Sequence, residues 1–285
     1  MKHAYLIMAH GDMAVLDILL SCIDDARNDI YLHVDSKDAI PKFSPLRYSR
    51  LFVIKERIDV RWGDLSQIET ELALFRAAVN APEPYSYYHL LSGADLPIKD
   101  QDYIHDFFRA NAGKEFIGYA EFSMTDEIVR KVQRWHLYPK HFKSASFFIR
   151  LIRRVFIRFQ ELFGIKRNKG IQFKKGANWV SITDGMARLF LSKEQWIRKT
   201  FTHTFCGDEV VMQTICWNSI FKESLYNLQD EWAGNQRIIG WQNGELIDWT
   251  ANDYEKLKNS SALFARKFNT EDPEFLLKIV ELSKK

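Results

Sequence analysis

Several short stretches of this 285-residue chain carry side chains that could do chemistry. GDEVVMQT, Gly207 to Thr214, sets Asp208 beside Glu209, and a carboxylate so placed can take a proton from a hydroxyl. Asp100-Gln101-Asp102 is the single Asp-x-Asp, a pattern able to hold a divalent cation through oxygen. Asp35 and Asp95 follow the apolar runs of IYLHVD and YSYYHLLSGAD, where a carboxylate can accept hydrogen bonds from a ligand's hydroxyl or N–H groups. Each also has a plain structural reading. Asp208 and Glu209 are acids at a helix N-terminus, worth about 0.3–1 kcal/mol through the dipole. Asp95, between Gly93 and Pro97, is an ordinary turn residue, and Asp100 is a helix cap. Taken singly, the plain readings win.

These residues fall at the ends of regular elements. Ala4 to Met8 reads as a buried strand, followed by an apolar-periodic helix from about Met13 to Cys22. A second strand, IYLHVD, ends at Asp35, and a third, LFVI, begins at Leu51. SQIETELALFRAAVN has helical spacing with acids early and Arg76 late, as the helix dipole prefers. A fourth strand, YSYYHLL, runs into the SGADLP turn and the helix QDYIHDFFRAN; EFIGYAEF, NWVSIT and a run of helices follow. Strands alternating with helices predict an α/β fold, an open sheet with its site at the strands' carboxyl ends. Asp35 and Asp95 sit at such ends, and His10 follows the first strand. No linker or repeat divides residues 1–285, so a single domain is expected.

Composition narrows the classes. With 46% hydrophobic and 14% aromatic residues the chain has ample material for a core. Forty Lys and Arg against 37 acids give a net charge of +3, which excludes a dedicated nucleic-acid binder. Cys22, Cys206 and Cys216 are odd in number and widely spaced, which supports neither a disulfide framework nor a zinc site and fits a reducing compartment. The apolar run from Ala4 to Ala9 is too short for a signal sequence or a membrane span, so a cytoplasmic protein is expected. One segment stands apart. Phe147 to Gly170 mixes bulky apolar residues with Arg150, Arg154 and Arg158 on one helical stripe, the composition of an interfacial amphipathic helix. It predicts peripheral contact with the inner face of a membrane, against the alternative of an ordinary helix whose apolar residues join the core.

HLLSGADLPIK, the upstream RWGDLSQIETELALFRAA, and the downstream GANWVSITDGMARLFL and GDEVVMQT stand in one chain and one order. Together they resemble the core-2/I-branching β-1,6-N-acetylglucosaminyltransferase family, which also includes peptide xylosyltransferases. The resemblance runs from LIMAH to ALFARKF, nearly the whole chain. It implies a GT-A type fold, with a Rossmann-like nucleotide-sugar-binding sheet over about 1–120 and an acceptor-binding and catalytic portion over 121–285. It also implies inverting transfer from a UDP-sugar, UDP-N-acetylglucosamine foremost, to a glycan or lipid-linked glycan. UDP-xylose as donor, or a homologue that binds without catalysis, are the alternatives.

The roles follow residue by residue from that resemblance. Glu209 matches the family's catalytic base. Arg237 in NQRIIGW and Lys267 in ALFARKF match the basic residues that neutralise the leaving diphosphate in place of a metal, so no metal site and no cofactor are expected. His10, Asp35 and Asp95 are the strand-end candidates for uridine and ribose, joined by Arg61 and Trp62 from the RWG turn. Glu115, Trp135 and Trp179 are the acceptor candidates.

Overall fold

The computed structural model describes residues 1–11, 13–120, 125–143 and 146–284; Glu121 and Phe122 of the EFIGYAEF stretch lie outside them. The chain opens with β1 (His3–Ala9), α1 (Met13–Cys22), β2 (Asn28–Val34), β3 (Arg50–Val53), α2 (Ser66–Val79) and β4 (Tyr87–Ser92). These strands lie parallel in the order β3-β2-β1-β4. Every residue of β1, β2 and β4 is buried, which is why they read as continuous apolar runs rather than alternating ones.

The two-residue period of β1 sorts its side chains between two cores. Ala4, Leu6 and Met8 face one with Leu72, Phe75 and Val211, whereas Tyr5, Ile7 and Ala9 face the other with Leu16, Leu19 and Phe108. The sheet is thus covered on both faces, and its strand ends are left as the open edge.

The chain continues with β5 (Asp95–Pro97), α3 (Gln101–Ala110), α4 (Thr125–Val132), α5 (Phe147–Leu162) and β6 (Ser181–Ile182), which adds an antiparallel edge to β4. Then come α6 (Asp184–Ser192), α7 (Glu194–Phe201), α8 (Asp208–Trp217), α9 (Glu231–Asn235), β7 (Arg237–Ile239), β8 (Trp241–Gln242), β9 (Glu245–Leu246), α10 (Tyr254–Lys258), β10 (Phe264–Arg266) and α11 (Pro273–Leu282).

Part of the SGADLP turn is in fact a strand. β5 pairs antiparallel with β10, Asp95 opposite Arg266, and β10 runs parallel to β7 in a second sheet. Three residues ending in proline carry no strand pattern, and the partner lies far along the chain. Through β4–β6 and β5–β10 both sheets draw on both halves of the sequence. Asp100 is the N-cap of α3, accepting from the Tyr103 N–H at 2.8 Å, while Asp102 pairs with Arg27 at 2.8 Å.

Candidate active site

Asp208 and Glu209 open α8, where acids favour the positive end of the helix dipole. Their surroundings differ. Asp208 is buried and accepts from Gln67 Nε2 at 2.7 Å; burial, then the charge of Glu209, push its carboxyl up to about 7. Behind it on α2, burial and the charge of Asp208 hold the fully enclosed Glu71 well above the usual carboxylate range.

Glu209 instead turns to the surface, its side chain 35% exposed. Lys131 Nζ, from α4, lies 2.6 Å from its Oε2, and Lys175 Nζ approaches the same oxygen at 3.6 Å. Glu127 spans both lysines at 2.8 and 3.0 Å. Burial would lower the Lys131 ammonium, but Glu209 and Glu127 outweigh it and hold it above the ordinary lysine range.

The GANW loop joins this acid to the rest of the crevice. Gly176 donates its N–H to the Glu209 carbonyl at 2.9 Å. A Cβ at Gly176 would stand 1.9 Å from the Gly118 carbonyl oxygen, so only glycine lets the two backbones approach. Ala177 donates to Glu231 Oε1 at 2.6 Å, and the ring of Trp179 lies 4.5 Å from the Arg266 guanidinium. From the other side, Gly63 of the RWG turn accepts from the Cys206 N–H at 3.0 Å, with φ +75° that suits glycine. Trp62, half exposed, meets Phe205 edge-on at 5.2 Å.

At the strand ends, Asp35 is buried and accepts from Lys37 N at 3.0 Å and Nζ at 2.6 Å. Lys37 also reaches Asp59, which pairs with Arg61, each at 2.8 Å. His10 is exposed just beyond β1. Asp95 accepts from Ser92 N at 2.9 Å, Ser92 Oγ at 2.6 Å and Arg266 Nη1 at 2.6 Å. Lys267, next in the chain, is 32% exposed with its ammonium 3.3 Å from Asp248.

Three expected contacts find no open surface, the first being Asp95, 1% exposed with both carboxylate oxygens taken up by Ser92 and Arg266. Arg237 is 1% exposed; its guanidinium donates to the carbonyls of Asn235, Val180 and Leu90 and lies over Phe264. Burial pushes its pKa down to about 9. It ties β7 to β4, with no face turned to a diphosphate. Glu115 is 0% exposed and accepts from both the N–H and Oγ1 of Thr183 at the head of α6, so it is no acceptor contact; burial pushes it up to about 7. Trp135 lies beside α5, its ring 4.0 Å from the Arg167 guanidinium.

What the sequence reading missed is an aromatic cleft of about 530 Å³, walled by Tyr119, Trp217 and Trp232 and edged by Lys174, Asp230 and Glu231. Through Glu231 and Ala177 it adjoins the loop that holds Glu209. These aromatics come from a loop and two helices with no common spacing, so no sequence signal marks them.

Acids at the carboxyl ends of parallel strands stand where ligand sites of open α/β sheets are found. The chain belongs to the Core-2/I-Branching enzyme family, whose model matches residues 3–271. The central sheet is accordingly that of a GT-A-like glycosyltransferase. Two curated relatives, both named xylosyltransferase oxt, are 23% identical over 279 residues and 88% of this chain: one from Drosophila pseudoobscura pseudoobscura, one from Drosophila melanogaster. The chain spans 29% and 30% of their respective lengths.

Proposed function

We propose that this glycosyltransferase is inverting and metal-independent, taking its sugar from a UDP-sugar, first UDP-N-acetylglucosamine, and delivering it to a glycan or lipid-linked glycan hydroxyl. The observation that carries the reading is Glu209 itself, a partly exposed carboxylate whose backbone carbonyl is bonded by the same loop that reaches Glu231 at the edge of the aromatic cleft. The acceptor sugar lies on Trp217 and Trp232. Its hydroxyl oxygen attacks the anomeric carbon from the face opposite the diphosphate, and Glu209 takes the hydroxyl's proton as the new bond forms. The bond to the diphosphate breaks, UDP leaves with its electron pair, and Lys267 meets the charge that grows there. Asp35, with Arg61 and Trp62 at the rim, holds the nucleoside and the donor's mouth, and Asp95 fixes Arg266 beside it.

UDP-xylose is the second reading, favoured by the names of both relatives. Purified protein assayed for hydrolysis and transfer against a panel of nucleotide sugars, with and without EDTA, separates the two. Turnover of UDP-N-acetylglucosamine that survives EDTA supports the first. Turnover of UDP-xylose alone replaces it with the second, and a strict need for manganese or magnesium overturns metal independence.

A further inference from the structure

The helix α5 turns most of its large apolar side chains outward. Its protein-facing side carries two buried polar residues, Arg153 and Gln160, flanked by the half-buried Ile149, Phe156 and Ile157. Arg153 donates Nε to the Leu137 carbonyl at 2.9 Å and lies 4.4 Å from the Phe142 ring. Gln160 accepts from the Trp135 N–H at 2.8 Å and donates to the Trp135 carbonyl at 2.9 Å. Six other large apolar side chains point away: Phe147 is 76% exposed, Val155 60% and Leu162 80%, with Phe148, Leu151 and Phe159 also open. At about 100° per residue these six fall on one outward sector. Arg150, Arg154 and Arg158, all exposed, run along its flank.

Such a sector, on a helix about 24 Å long, is too large to be scattered surface residues. Its surroundings say what covers it. Between Ile128 and Thr183 the sequence holds fourteen Lys and Arg and a single acid, Glu161, which is itself paired with Arg158 at 3.1 Å. A second copy packed by two-fold symmetry would set this arginine stripe against its own image without acids to oppose it. No described helix is long and apolar enough to cross a membrane.

We infer that α5 lies flat on an anionic lipid bilayer, its apolar sector sunk into the headgroup boundary and Arg150, Arg154 and Arg158 at the level of the lipid phosphates. This goes beyond the transfer reaction and stands whichever donor is used. Arg153 and Gln160 are the anchors that hold the helix to the protein, so the membrane-facing side needs no unfolding to be presented.

The test is co-sedimentation of the full chain with vesicles of phosphatidylcholine alone and of phosphatidylcholine mixed with phosphatidylglycerol. Binding to the anionic vesicles only, weakened by salt, is the expected result. R150Q/R154Q/R158Q lowers that partition on the order of a hundred-fold. F147S/L162S lowers it while leaving the charge intact, and circular dichroism of both variants matches the parent. Negligible binding to both vesicle types overturns the inference, as does equal binding to both. So does anionic binding that persists in the arginine variant, or self-association through α5 without vesicle binding.

Discussion

Lys131 places its ammonium 2.6 Å from Oε2 of Glu209, and Lys175 approaches that same oxygen rather than the other. One carboxylate oxygen is therefore fixed by cations while the side chain stays 35% exposed. A base that must receive a proton along one line gains from being held this way, because its rotamers are settled before the substrate arrives.

Glu209→Gln keeps the size and most of the hydrogen bonding but cannot accept a proton. Transfer kcat is expected to fall by about 10²–10⁴ with the KM for donor nearly unchanged. A variant that keeps more than a third of the activity removes Glu209 from the role of base.

Lys267→Ala deletes the partly exposed cation beside Arg266. Losing one charge-assisted contact to phosphate lowers kcat/KM by about 10- to 100-fold, and UDP binds more weakly in titration calorimetry. Unchanged UDP affinity would assign the diphosphate to other cations.

Trp232→Ala opens one wall of the aromatic cleft. The loss of one aromatic face, on the order of 1 kcal/mol, raises acceptor KM several-fold and leaves donor hydrolysis untouched. If donor hydrolysis falls while acceptor KM stays, the cleft belongs to the donor.

Asp208 gives a pH dependence of stability that does not involve turnover. Burial raises its pKa from 3.8 to about 7 in the folded chain, so the folded state holds a proton that the unfolded state has lost between those values. Its contribution to stability is fully present below pH 3.8 and is lost as pH rises towards 7. Asp208→Asn removes this slope, about 1.4 kcal/mol per pH unit at most. Denaturant melts of both proteins at pH 6, 6.5 and 7 are expected to diverge with the variant gaining as pH rises; parallel curves would mean that Asp208 ionises freely.

The elements with strong periodicity were legible in the sequence. α1 spans Met13–Cys22 as its apolar spacing predicts, and α2 follows its acids-first, arginine-last pattern closely. Side-chain direction was not. Arg237 sits in a NQRIIGW stretch whose spacing says nothing about which face of a three-residue strand it occupies, and the pairing of β7 with β10 turns it inward. Glu115 likewise looks available until Thr183, 68 positions on, arrives to bond it. The apolar residues of α5 posed the reverse problem. Periodicity drew the stripe correctly, but only the burial of Arg153 and Gln160 shows that the stripe faces out.

The Asp95–Arg266 pair spans 171 positions, which sets an order on how the protein can be completed as it is made. At about 5–20 residues per second, roughly 10–30 s separate the emergence of the SGAD segment from that of its arginine. Throughout that interval the parallel strands β1 to β4 can already be assembled, while Asp95 has no guanidinium to meet and Trp179 no cation to lie under. The parallel strands can therefore be assembled well before β10 arrives to pair with β5 and to set Arg266 against Asp95.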